Sequence, residues 1–149
     1  MRDMFSILKN LKELNLSNFN TSNVTDMWHM FTESTALIKL NLSNFDTTNV
    51  TSMESMFSSC SSLVALDLSS FDTTNVTNMQ WMFYECSNLQ TTINILNAST
   101  TYTDIFANNA LTDTNANVTI GYTSETKTIA EAMKETAGSN KSKITLKQI

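Results

Sequence analysis

Met-Phe pairs punctuate this chain at a constant interval. Met4-Phe5, Met30-Phe31, Met56-Phe57 and Met82-Phe83 each follow the last by 26 residues (30−4, 56−30, 82−56). The same step aligns Leu14-Asn-Leu16 with Leu40-Asn-Leu42 and Leu66-Asp-Leu68, and Phe19 with Phe45 and Phe71. It also aligns Asn23-Val24 with Asn49-Val50 and Asn75-Val76. A fixed period of about 20 to 50 residues marks a repeat architecture, in which a unit too small to bury its apolar face hides it against the next. The expected fold is an α/β solenoid, and the expected class of function is a binding or display surface.

Each unit divides into two parts. In Leu63 to Phe71 the spacing L-x-x-L-x-L-x-x-F places Leu63, Leu66, Leu68 and Phe71. Its centre alternates apolar with polar, as a short strand with one buried side does. Stacked one unit apart, such strands form a parallel sheet with leucine and phenylalanine columns inside. Val76, Met79, Met82 and Phe83 then fall at i, i+3, i+6 and i+7, which predicts one face of a short helix. Thr77 with Gln80, like Thr51 with Glu54, fits a capping box at its start. The expectation is one short parallel strand and one short helix per 26-residue repeat. With no proline and only two glycines, the bends fall to serine, threonine and asparagine, which bond their side chains to nearby backbone.

The period decays after Leu89. Ile93 and Ile95 stand where the step predicts Thr92 and Asn94, a slip of one residue, and Tyr102, Ile105 and Phe106 resemble a shortened Met-x-x-Met-Phe. Asn117 to Ile120 reads as a strand. Residues 124–138 read as a helix capped by Ser124, with Ile129 and Met133 inward and Gly138 as its stop. "KITLKQI" supplies a last strand. Two regions are expected: leucine-rich repeats over 1–89, the first incomplete, and a degenerate repeat with an α/β capping module over 90–149.

Charge narrows the partners. The formal net charge is −5, and no lysine or arginine occurs from Leu40 to Thr126, where eight carboxylates lie: Asp46, Glu54, Asp67, Asp72, Glu85, Asp104, Asp113 and Glu125. Phosphate backbones are held by clustered cations, so nucleic acid and anionic membranes are poor partners. No stretch resembles a signal peptide, a spanning helix or a lipidation site, so no membrane insertion is expected. Met1 stands one step before Met27, Met53 and Met79. The chain therefore opens inside the second half of a unit, as a piece of a longer protein or a truncated reading frame would. Its first face would show Met4, Phe5 and Leu8 uncovered, and self-association through it is expected.

No constellation for catalysis assembles from these residues: there is no nucleophile with a base, no metal cluster and no phosphate loop, so no enzyme and no cofactor is expected. His29 stands alone beside Trp28. Cys60 and Cys86, 26 apart, read as small buried thiols in a column with Leu8 and Ser34, with a disulfide as the alternative. Their surroundings lack the ligands of a zinc site. The methionines sit at core spacing and read as packing, not as soft-metal ligands. Asn20, Asp46 and Asp72 form a row that reads as Asx-turns; calcium would require six to eight oxygens from a tight loop.

Two surfaces are candidates for binding. The strand face would show Lys12, Asn15, Lys39, Asn41 and Asp67, and concave sheets are where repeat proteins usually meet partners. On the opposite side Trp28, Trp81 and Tyr84 either anchor an interface or cover gaps between turns.

The recurring string "LxxLxLSxFDTTNVTxMxxMFxxCSSL" resembles the leucine-rich repeat of BspA-type surface proteins, common in bacterial cell-surface proteins and mycoplasma lipoproteins. The likeness covers Met1 to about Leu89, and the tail is similar to the C-terminal module of those proteins. It implies a cell-surface or secreted location, a role in adhesion or host interaction, a host or extracellular protein or glycan as partner, and no catalysis. A structural spacer that binds nothing is the alternative. The chain departs from the family pattern in showing no signal sequence, no wall anchor and no complete first repeat.

Overall fold

The computed structural model describes residues 1–107 and 109–149. The chain is α/β, with a single six-stranded sheet whose neighbours follow chain order and whose pairs are all parallel. Its strands are β1 (Glu13–Asn15), β2 (Lys39–Asn41), β3 (Ala65–Leu68), β4 (Gln90–Ile95), β5 (Asn117–Tyr122) and β6 (Ile144–Gln148). Parallel neighbours in chain order oblige the backbone to return on the far side of the core after every strand.

Strand register carries the sequence period into space. Leu14 pairs with Leu40, Asn15 with Asn41 and Lys39 with Ala65, each 26 apart. At β4 the step shortens to 25, with Leu66 opposite Thr91 and Leu68 opposite Ile93; the sequence predicts a slip the other way, with Ile93 and Ile95 in the places of Leu66 and Leu68. One inward column runs through Leu66, Thr91, Val118 and Ile144, and the next through Leu68, Ile93, Ile120 and Leu146. Alternation does the sorting: along β3 Ala65 and Asp67 are exposed while Leu66 and Leu68 are buried.

The return segments correct the expected helix. Met53, Met56 and Phe57 are buried, as their spacing requires, but they lie on turns. In a helix the Phe57 N–H would bond within its own unit; here it donates to Met82 O at 3.1 Å, and Phe31 N–H donates to Met56 O at 2.9 Å. Non-glycine residues in the left-handed region recur at His29 and Glu33, Ser55 and Ser59, Trp81 and Glu85. A left-handed residue every fourth position cannot continue a right-handed helix. The chain instead makes successive four-residue turns, such as Met56 N–H to Met53 O at 3.2 Å, and its remaining amides ladder onto the next unit. The capping boxes are corrected for the same reason. Thr51 Oγ1 donates to Thr25 O at 3.1 Å and Thr77 Oγ1 to Thr51 O at 3.3 Å, so these hydroxyls tie unit to unit.

The turns carry a stacked aromatic column through the core. Phe5, Phe31, Phe57, Phe83 and Phe106 follow one another at centroid separations of 5.6, 5.5, 5.9 and 5.3 Å, each pair within 15° of parallel. Separations above the roughly 4.8 Å strand spacing correspond to offset stacking, the favoured arrangement of ring quadrupoles. Phe45 and Phe71 are also buried, whereas Phe19, expected in their column, is 38% exposed. Phe19 belongs to the first strand unit, where Phe5 packs against its ring edge-on at 5.4 Å. Met4 at 52%, Ile7 at 56% and Leu11 at 38% exposed extend that apolar end, while Phe5 and Leu8 are half-buried.

At the other end, α1 spans Lys127–Glu135 and buries Ala130 and Met133, with Ile129 half-buried. The expected Ser124 cap is corrected. The residue before the helix is Thr126, and no side chain caps it; the Thr126 hydroxyl instead donates to Ile95 O at 2.7 Å and accepts from Thr123 N–H at 2.9 Å. The helix ends before Gly138, whose φ of +56° opens a 3-10 turn over Gly138–Lys143. No described helix is long and apolar enough to cross a membrane.

Candidate functional site

The strand face is a set of outward columns. Asn15 lies beside Asn41 in one, and Asp67, Thr92 and Thr119 continue across the later strands. Lys12, Asn15, Lys39, Asn41 and Asp67 are all exposed, so the structure brings the sequence candidates of this face onto one surface. A shallow open groove of about 640 Å³ runs over it, lined among others by Asn41, Asp67, Gln90, Thr92, Asn117 and Thr119. Gln90, Thr92, Asn117 and Thr119 are not among the residues that the repeat pattern singles out. The slip of register at β4 hides them from the 26-residue step, although the strand alternation around Ile93 and Ile95 would place them outward.

Much of the polar capacity of this face is already engaged. Asn15, Asn41 and Asp67 each accept, through Oδ1, the N–H two residues ahead, Ser17 at 3.0 Å, Ser43 at 3.0 Å and Ser69 at 2.9 Å. These Asx-turns stop the strands. The Ser69 hydroxyl adds a second bond to Asp67 at 2.6 Å. Bonding from the Ser69 side chain, then from its backbone, holds the Asp67 carboxyl below the usual carboxylate range. Lys39 Nζ stands 3.9 Å from Glu13 Oε1, both well exposed, a pairing that adds little stability in water.

A second row of Asx-turns lies where the sequence places one. Asn20, Asp46 and Asp72 accept the N–H of Ser22, Thr48 and Thr74 at 3.0, 3.0 and 2.9 Å. The Thr48 hydroxyl also donates to Asp46 Oδ1, and that bond is the main cause of a lowered Asp46 carboxyl pKa.

The aromatic candidates on the turn side separate into two places. Trp28 is half-buried, stacked on His29 at 3.9 Å with the Arg2 guanidinium 5.8 Å from its ring. Arg2 in turn bonds Asp26 at 2.8 Å. Trp81 and Tyr84 line another hollow, together with Ser55 and Ser58. His29, expected without a partner for catalysis, has Asp3 Oδ1 3.6 Å from its Nδ1.

Cys60 and Cys86 are free and buried. Each thiol donates to the phenylalanine carbonyl of the unit before, Cys60 to Phe31 O and Cys86 to Phe57 O, both at 3.0 Å. Ser34 Oγ does the same to Phe5 O at 2.9 Å. The column of small buried groups is therefore also a column of donors to a carbonyl. Burial pushes the Cys60 thiol up to about 12 and the Cys86 thiol well above its ordinary value, so both are unreactive as nucleophiles.

Residues 1–120 match the model of a family described as "Mycoplasma protein of unknown function, DUF285", and the chain belongs to that family. No curated protein and no solved structure matches.

Proposed function

We propose that the stacked units form a leucine-rich-repeat solenoid of the BspA type and that the chain is a non-catalytic interaction module of a bacterial surface protein. In this reading it serves adhesion or host interaction by offering its strand face to a host or extracellular protein or glycan. The observation that carries the proposal is the continuous, cation-poor polar surface made by Asn41, Asp67, Gln90, Thr92, Asn117 and Thr119 over one groove. Membership of a family described from mycoplasma fits the same reading. Asn41→Lys combined with Asp67→Lys places two cations in the groove without touching the core, and adhesion to immobilised extracellular matrix and to cultured host cells is the readout. Loss of adhesion with an unchanged circular dichroism spectrum supports the reading; undiminished adhesion removes it.

A structural spacer is the second reading, favoured by the engagement of Asn15, Asn41 and Asp67 in Asx-turns, which leaves them fewer free acceptors for a partner. Under it the wild-type chain shows no adhesion at all, and the double lysine variant changes nothing.

A further inference from the structure

Successive units place unlike side chains at two equivalent turn positions. The first is held by His29, Ser55 and Trp81, the second by Thr32, Ser58 and Tyr84, each 26 residues apart. The backbones beneath them are laddered: His29 N–H donates to Glu54 O at 3.1 Å, Ser55 N–H to Gln80 O at 2.9 Å and Ser59 N–H to Tyr84 O at 2.7 Å. A ladder fixes neighbouring units about 4.8 Å apart. One unit of small serines therefore sits between a His-Thr unit and a Trp-Tyr unit, and the missing side-chain volume appears as a hollow of about 280 Å³ lined by Ser55, Ser58, Trp81 and Tyr84.

Several features distinguish this hollow from a packing gap. Ser55 is only 5% exposed, and it lines the hollow. A serine hydroxyl both donates and accepts, so Ser55 offers a hydrogen bond of either sense to an occupant. Trp81 stands on left-handed backbone, φ 54°, where Asp3, His29 and Asp104 occur elsewhere and where a bulky side chain is disfavoured. Its indole is nonetheless 37% exposed, the largest aromatic surface the turn side offers to solvent.

The chemistry of the walls limits the occupant. Among the described residues no charged side chain lines the hollow, and the carboxylates next to it in sequence are engaged, Glu54 by Asn78 at 2.8 Å and Glu85 by Ser59 at 2.9 Å. A phosphate would find no cation in these walls, and a cationic group no carboxylate in them. The volume lies near the lower end for small-molecule sites, about 300 Å³, which suits one ring and not a peptide strand. An uncharged ring with an apolar face for stacking on indole and hydroxyls at its edge for serine is a pyranose.

We propose that the hollow is a subsite for one neutral hexopyranose residue of a glycan, with Trp81 as the stacking platform, Tyr84 as the side wall and Ser55 and Ser58 bonding ring hydroxyls. The site lies away from the strand face and stands or falls apart from the proposal made for that face.

The test uses the whole chain and four neutral probes: maltotetraose, cellotetraose, mannotetraose and β-1,4-galactotetraose, followed by calorimetry and by the indole N–H signals in nitrogen-15 spectra. Saturable binding of at least one probe is expected, shifting the Trp81 indole signal more than that of Trp28. Trp81→Ser and Ser55→His each install a side chain the chain already uses at the equivalent position, so the fold is kept. Each should weaken binding at least tenfold, one by removing the platform and the other by filling the hollow. Absence of binding by all four probes at millimolar concentration, or binding that survives both substitutions in folded protein, overturns the proposal.

Discussion

Phe57→Ala probes the aromatic column at its most enclosed point. Phe57 is fully buried and stacked on both sides, against Phe31 at 5.5 Å and Phe83 at 5.9 Å. Removing a buried phenylalanine costs about 3 to 5 kcal/mol from lost transfer energy and the cavity left behind. The ladder enforces the upper part of that range, because Phe31 N–H is fixed to Met56 O and Phe57 N–H to Met82 O, and neither neighbouring unit can collapse into the void. Phe5→Ala supplies the internal comparison: Phe5 is half-buried and has one stacked neighbour, Phe31, at 5.6 Å. Its loss should cost roughly half as much, about 1.5 to 2.5 kcal/mol. Urea unfolding followed by circular dichroism, with equal slopes for the two variants, measures both numbers. A Phe57→Ala cost no larger than that of Phe5→Ala would refute the claim that enclosure by neighbouring units holds the fold together.

Four further outcomes follow from one or two positions each. Burial raises the Cys60 pKa from 9.0 to about 12 and that of Cys86 as well, so the unfolded chain releases protons first as pH climbs. Stability should be unaffected by these groups below pH 9.0 and fall between there and about 12, and Cys60→Ser with Cys86→Ser should flatten that part of the profile while the serines keep the bond that Ser34 makes. Asp46 has a lowered pKa through Thr48, so its contribution is present above 3.8 and lost as acid protonates it; Asp46→Asn, copying Asn20, should remove that share of the acid dependence in pH-dependent melting. Thr91 Oγ1 is buried without a partner in a column of Leu66, Val118 and Ile144, and Thr91→Val should raise the unfolding free energy by about 1 kcal/mol in urea titration; a loss would mean the hydroxyl is satisfied. Self-association through the apolar end is expected to disappear in Met4→Lys with Leu11→Lys, read by light scattering, and a monomeric wild-type chain at high concentration would contradict it.

The sequence makes the sheet legible because its signal is doubly coded. The alternation around Leu66 and Leu68 sets which side is buried, and the 26-residue step sets which strands are neighbours, so parallel order follows, and register with it as far as β3. The return segments are a different matter. Val76, Met79, Met82 and Phe83 have helical spacing, yet the same residues reach the core through four-residue turns with left-handed hinges at Trp81 and Glu85. Side-chain periodicity reports which residues face inward, not where their N–H groups donate, and only the latter separates a helix from laddered turns. Aspartate and histidine at Asp3, His29 and Asp104 hint at the hinges, since these residue types tolerate positive φ better than most, but Trp81 and Ile7 conceal the pattern. The candidate surface is partly legible for a related reason. Outward strand residues can be read by alternation, whereas the hollow at Ser55 and Ser58 arises only from the contrast in size between one unit and the next.

Removal of one whole period tests the stacking claim most directly. Deleting residues 46–71 joins Phe45 to Asp72 and keeps the Met-Phe step at 26, bringing Phe31 against Phe83 where Phe57 had been. If equivalent units cover one another in register, the shortened chain keeps a β-sheet spectrum and unfolds in one cooperative transition under heating, at a somewhat lower temperature. A shortened chain that is unfolded or aggregated, with a spectrum no better than that of a half-period deletion of residues 46–58, would contradict the account.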